Sequence, residues 1–480
     1  MVNPASLLPA SRSAVVAKAA VEVAPDRDTA ATRLIYAYLG SATFWLLVGT
    51  LVGAYLGLKF ATPDIDHIPW LSYGRLRPVH TNTVFWGWAS LAMIALALYV
   101  VPKTSRRPLH SLPLAWVSLG LINAAVLVGD LLLMSGVNNG GQEYREYIWP
   151  VQGVFALGVI LVTYNMIRTI VGRAIEEIYI SNWYIMGGFL WTVALMVIAY
   201  VPFYQQTGIS ETVIQGFYMH MGVGMWFTPM VLGLTYYFLP KLLNKPIYSY
   251  SLGVLAFWTQ MVFYSMIGAH HFIFAPTPWW LQTVAIIFSV GMIVTLAAGT
   301  GNFLMTMKGS FRTVARSYSL PFILVGVIAY FLFSLQGTFE AFRSLNRVWH
   351  FTNFTIAHSH LTMYGFVVFL IWGGIYGLVP RLTGREPSHF LAGVHFWFAF
   401  VGVAIYTIAL MVGGTMQGMS WIAGDAFIDS VTMMAPFWLW RALGGGLMFL
   451  SHLIFAYNLW CMRPSPHERR RPLEAQEAMA

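Results

Sequence analysis

Residues 350–365 read HFTNFTIAHSHLTMYG. They open an apolar run continuing to about Leu378, longer than a soluble core helix needs and long enough to cross a bilayer. His358 and His360 stand two positions apart within it. On an α-helix that spacing is about 200° of rotation, so the imidazoles leave opposite sides and do not share one mononuclear ion. A zinc pair on a helix needs i, i+4. Polar side chains at membrane depth cost free energy and are kept mostly for function. The pair is therefore either two core histidines satisfied by neighbours, or one ligand to each of two separate centres. The remaining histidines decide between these.

The composition around this stretch is that of an integral membrane protein. Of 480 residues, 58% are hydrophobic, 16% aromatic and only 9% charged, with mean hydropathy +0.65, whereas soluble domains carry about 25% charged residues. The apolar runs are too long and too free of alternation for a β-barrel, so the spans are helical. Twelve are expected, near 33–60, 78–101, 112–135, 148–170, 183–203, 213–240, 250–272, 280–307, 316–338, 351–379, 390–414 and 432–460. Together they form one domain over residues 31–462, between an Ala/Ser/Pro-rich tail at 1–30, expected to be disordered, and a basic tail at 463–480. Lys and Arg number twenty on the side of the termini and six on the other, which puts both termini in the cytoplasm. That placement makes the positive charge a topology signal rather than a nucleic-acid surface. The single cysteine, Cys461, excludes an internal disulfide, a Cys-ligated iron–sulfur cluster and a C-x-x-C-H haem attachment.

With this topology six histidines from four helices fall in the outer half of the membrane. His358 and His360 are about 10–14 Å below the outer rim at ~1.5 Å per residue, and His220 is at the same depth. His270 and His271 close the seventh helix, and His80 follows a proline suited to the first turn of the second. His270 and His271 can converge with His220 on one small ion, and three imidazoles without a thiolate suit copper, or less specifically iron or zinc. His80 then pairs with one member of the 358/360 pair. Two trans imidazoles give a six-coordinate haem that carries electrons, and the other member gives a five-coordinate haem facing the three-histidine ion. Tyr264, seven residues before His271, is expected on the same helix face about two turns deeper.

Arg441 is the one arginine well inside a span and is expected to pair with Asp130 or with a haem propionate. His67, His110, His389, His395, His452 and His467 read as loop, interface or core positions. A transporter with structural histidines would place charges near the midplane and show inverted repeats. The inner halves hold few charges and no repeat is visible.

The strings GRLRPVHTN, EYREYIWP, YMHMGVGMWFTPMVLGLTYYFLPK, YSMIGAHH, GTFEAFRSLNRVWHFTNFTIAHSH and MAPFWLWRALGGG resemble subunit I of the haem–copper oxidases, specifically the C-family (cbb-type) cytochrome c oxidases. The resemblance runs from about Ala31 to Trp460. It implies that His80 and His360 bind a low-spin haem b, that His358 binds a high-spin haem b, and that His220, His270 and His271 bind copper. It implies that Tyr264 is the active-site tyrosine, joined covalently to His220, and that Glu340 lies beside the high-spin haem. It further implies that His350, Arg75, Arg77, Arg343 and Arg347 face haem propionates, and that Glu143 or Glu146 contributes a calcium ligand. Membrane-anchored c-type cytochrome subunits, an electron donor such as cytochrome c, dioxygen and a bacterial inner membrane complete what it implies. Met221, Ala269 and the string IAHSH depart from the family's usual residues and mark a divergent member.

The alternative within the same fold is nitric oxide reductase, with non-haem iron in place of copper. It calls for a glutamate four residues after the helix 6 histidine, where this chain has Gly224.

Overall fold

The computed structural model describes residues 29–140, 142–200 and 207–464. The tails expected at 1–30 and 463–480 lie almost wholly outside these, as do the last residues of the 183–203 segment. Among the described residues the chain folds as twelve rods. They are α1 (Thr29–Ala61), α2 (Tyr73–Ser105), α3 (Leu112–Ser135), α4 (Trp149–Val171), α5 (Ile180–Tyr200), α6 (209–243), α7 (Tyr250–Tyr264), α8 (Trp279–Met307), α9 (Leu320–Glu340), α10 (Asn353–Thr383), α11 (His389–Ala423) and α12 (Phe427–Cys461). All but α6 and α7, ten in number, are long and apolar enough to cross a membrane by length and composition. In α6, aromatic and polar residues dilute the hydropathy, and α7 stops after 15 residues.

Three helices, α2, α6 and α10, meet one another in the middle and the others surround them. Burial follows this plan. In the most apolar stretches of α2 and α10, 94% and 89% of residues are buried, against 28–50% in the other eight spans. The surrounding helices leave large apolar side chains such as Trp279, Phe390 and Phe427 exposed, as lipid contact requires. Close approach between spans uses small residues. A Cβ on Gly444 would lie 2.7 Å from the Gly402 carbonyl, so α11 and α12 touch backbone to backbone.

The three central helices share a second feature that sequence patterning does not announce. Each widens into a π-turn just after a histidine: Thr83–Ala89 after His80, Gly222–Phe227 after His220, and Leu361–Val368 directly after His360. Such bulges concentrate at functional sites.

Two expected details differ. The second helix starts at Tyr73, so Pro78 is inside it and His80 is a full two turns in. The seventh helix ends at Tyr264 rather than 272, and His270 and His271 occupy a separate 3-10 turn, Gly268–Phe272. The cause is packing. A Cβ on Gly268 would sit 2.6 Å from the Phe217 backbone, and one on Gly216 would sit 2.9 Å from the Gly268 carbonyl. The chain leaves the helix to run against α6 at these two glycines.

Candidate metal centres

Five of the six histidines present a free Nε2 because something specific holds Nδ1. Backbone carbonyls accept from two of them: Gly49 O from His80 at 2.7 Å and Ile356 O from His360 at 2.8 Å. The Gln336 carbonyl oxygen accepts from His358 at 3.1 Å. Ser289 Oγ lies 2.8 Å from His270 Nδ1 and spends its own hydrogen on Ala285 O at 2.7 Å, so it too accepts. Metal-binding histidines are oriented in this way by a partner on the other ring nitrogen. The fifth is His220, whose Nδ1 lies 2.7 Å from His271 Nε2 and whose Nε2 is buried without a partner; His271, with its Nε2 engaged, is the exception.

The 358/360 pair separates to opposite flanks of α10. His360 packs on Tyr406 of α11 and faces His80 of α2, with ring centroids 6.4 Å apart and planes within 14°. Two metal–imidazole bonds of about 2 Å each fill all but about 1.2 Å per ring of that 6.4 Å, the reach from ring nitrogen to ring centre. A planar macrocycle with a central iron fits between these rings. Gly53 completes the cradle, since a Cβ there would be 2.5 Å from the His80 ring.

On the other flank, His358 lines a cavity of about 710 Å³ together with His220, His270, His271 and Tyr264. His220 of α6 and His270 and His271 of the 3-10 turn hold one ligand atom each within 4.8 Å of the others, and their ring centroids are 4.4–4.7 Å apart. All-imidazole donors suit copper, zinc or iron.

Tyr264 is not two turns along a shared face from His271, since no helix joins them. It reaches the cluster as the last residue of α7, stacked on His220 at 4.8 Å and 9°. Gly224 makes room: a Cβ there would lie 1.5 Å from the Tyr264 ring. A glutamate at 224 and a tyrosine in this position exclude each other.

Glu340 Oε1 is 3.3 Å from His358 Nδ1, in ion-pair range but without hydrogen-bond geometry, because Gln336 takes that nitrogen. Of the residues expected around propionates, Arg77 and His350 line the cavity, and burial lowers the His350 imidazole below its usual range. Arg75, Arg343 and Arg347 do not. Arg75 donates to Met134 O at the end of α3. Arg343 lies 3.7 Å over Trp279 and donates to Thr283. Arg347 is exposed.

Arg441 lines the cavity over Phe60, with its buried Nε unpartnered. Asp130 is not its partner, for it accepts from Thr83 at 2.6 Å and Tyr147 at 2.7 Å. A buried cation without a carboxylate suits an anionic edge of a cofactor. Glu143 pairs with Arg77 at 2.5 Å, and Glu146 accepts from Asn82 at 2.8 Å with Arg77 4.0 Å away. Burial pushes the Glu146 carboxyl up to about 7. A calcium ion, which takes 6–8 oxygens, would share these two carboxylates with Arg77.

Comparison with known proteins identifies the family. Residues 33–447 match the family described as cytochrome c and quinol oxidase polypeptide I. The chain is 30% identical over 437 residues to the cbb3-type cytochrome c oxidase subunit CcoN1 of Stutzerimonas stutzeri, covering 87% of this chain and 91% of that one. It is 32% identical over 461 residues to a bacteroid cytochrome c oxidase subunit 1 homolog of Bradyrhizobium diazoefficiens, covering 91% and 83%. A haem–copper terminal oxidase dimer solved by cryo-EM has the same fold, with a TM-score of 0.74 at 16% identity over 91% of this chain and 84% of that one.

Proposed function

The chain belongs to the cytochrome c and quinol oxidase polypeptide I family, as a cbb-type cytochrome c oxidase subunit I, and from that premise we propose that it reduces dioxygen to water at the cavity between His358 and the three-histidine cluster. Bound there and between His80 and His360, two b-type haems and a copper ion supply electron storage and dioxygen binding. His80 and His360 hold the low-spin haem, His358 the high-spin haem, and His220, His270 and His271 the copper. Arg77, His350 and Arg441 face the anionic edges, and calcium is the candidate ion at Glu143 or Glu146. Electrons come from c-type cytochrome subunits anchored in the same bacterial inner membrane, fed by cytochrome c or a similar donor. Both termini are cytoplasmic, and turnover draws protons from that side.

Tyr264 holds a phenolic proton in the cavity wall, with its ring fixed against His220. A polar file toward it begins at the inner ends of α6 and α7, where Thr235, Tyr236, Tyr237, Ser249, Tyr250 and Ser251 lie. The file also draws on α8: Thr295 donates to Thr259 at 2.8 Å and Asn302 to Tyr236 at 3.4 Å. Tyr330 of α9 lines the cavity with its hydroxyl buried and unpartnered. Hydroxyls both donate and accept, so waters between them complete a relay.

The packing of Tyr264 into the space that Gly224 leaves carries the choice of reaction. Nitric oxide reduction at non-haem iron calls for a carboxylate at 224, and the tyrosine occupies that volume. Metal analysis of the purified complex tests this. Copper at one per chain is expected, and an additional iron with no copper moves the assignment to nitric oxide reductase.

A further inference from the structure

Six of the thirteen histidines serve the metal centres in this reading, and two of the others, His395 and His452, are wholly buried between α10, α11 and α12. Their hydrogen-bond surroundings differ in a way that assigns them different capacities. His452 Nδ1 lies 3.0 Å from Thr50 Oγ1, whose only hydrogen goes to Leu46 O at 2.6 Å. Thr50 therefore accepts, and Nδ1 carries hydrogen. On the other side Tyr364 OH is 3.0 Å from His452 Nε2 and 3.3 Å from Ser451 Oγ. Ser451 spends its hydrogen on Met448 O at 2.6 Å, so toward Tyr364 it too is an acceptor. The tyrosine hydrogen thus has two places to go. With His452 neutral it points at Nε2. With a proton on Nε2 it turns to Ser451, and the phenol oxygen accepts from the imidazolium. Every group stays paired in both states, and only one hydroxyl rotates. An unpaired buried polar group is costly, and this arrangement avoids that cost on protonation.

His395 lacks this provision. Tyr376 lies 3.0 Å from its Nδ1 and itself receives Asn458 Nδ2 at 3.0 Å, while His395 Nε2 has no partner. A second proton would leave the Tyr376 hydrogen without an acceptor among the described residues.

His452 is also wired to one metal centre rather than the other. Thr50 follows Gly49, whose carbonyl holds His80 Nδ1, and Tyr364 stands four residues beyond His360. We propose that His452 is a proton-binding site coupled to the low-spin haem, a site whose two states the Tyr364–Ser451 pair was built to satisfy. When one electron enters the haem from the c-type donor, one proton binds at Nε2 and forms an N–H bond. When the electron moves on, that bond breaks and the proton leaves. The titratable groups around the ring are Tyr364 from α10 and, across Trp372, His395 from α11 with Tyr376. From α1 it meets Thr50, and among the described residues no carboxylate, lysine or arginine pairs with it.

The inference rests on His80 and His360 holding the low-spin haem. Its test is a spectroelectrochemical titration of that haem in the purified complex at a series of pH values. The wild-type midpoint potential should fall as pH rises. In His452→Gln that dependence should be lost, and in His395→Gln it should persist. Ser451→Ala removes the acceptor that the turned hydroxyl needs, so the pH at which the slope levels off should move down. This second variant decides the matter if His452→Gln does not assemble. A low-spin haem whose slope survives His452→Gln, or whose inflection is unmoved in Ser451→Ala, overturns the proposal alone. A wild-type spectrum without a low-spin haem overturns the haem assignment and the proposal with it.

Discussion

The two flanks of α10 carry the same residue type two positions apart and offer opposite surroundings. On the His360 flank a second imidazole stands parallel 6.4 Å away, and neither ring lines the cavity. A metal held there would have an imidazole on each side, an arrangement that would suit electron passage rather than ligand binding. On the His358 flank the facing groups are three imidazoles and a phenol across a cavity of about 710 Å³. A metal held there keeps one side open. In the proposed reading, one helix separates electron carriage from chemistry by presenting His360 and His358 on opposite flanks. The hydrogen bonds on Nδ1 repeat the division. Backbone carbonyls fix both histidines of the closed flank, whereas side chains, Gln336 and Ser289, fix His358 and His270 on the open one.

The open flank should be the more easily broken. Gly224→Ala is expected to have the largest effect, because its Cβ would overlap the Tyr264 ring. Displacing the ring by even 1 Å is worth on the order of 10² in rate, so oxygen consumption should drop by about that factor while the low-spin haem spectrum is unchanged. Retained turnover would show that Tyr264 is not where the reaction needs it. Ser289→Ala should be milder. It frees His270 Nδ1 and is expected to lower copper affinity about 10–100-fold, read as copper lost on dialysis against a chelator with haem content constant. Smaller again is the effect on proton delivery. Tyr237→Phe or Thr259→Val should slow steady-state oxygen reduction a few-fold, leaving both haems and copper in place. Wild-type turnover in both would remove α6 and α7 from the route.

Much of this division is legible in the sequence, because period and spacing carry it. The His358/His360 interval fixes opposite flanks on any α-helix. What escapes has other physical origins. The π-turns in α2, α6 and α10 leave no compositional mark, since they re-aim the backbone without changing which residues are apolar. The break after Tyr264 comes from Gly268 meeting Gly216 and Phe217, a contact between chain segments fifty residues apart. Ser289, Gln336, Thr295 and Tyr330 are isolated polar residues within apolar spans, and only packing reveals which way they face. Arginine roles are the least legible, because a long side chain takes the nearest acceptor. Arg75 finds a helix-terminal carbonyl and Arg343 a tryptophan face, both away from the cavity.

The most direct measurement of the two-flank account is the visible spectrum of two single variants. His360→Ala should lose the low-spin bands and keep a haem that binds carbon monoxide, whereas His358→Ala should keep the low-spin bands and lose carbon monoxide binding. If both variants lose the same spectral component, the two histidines serve one centre and the account is contradicted.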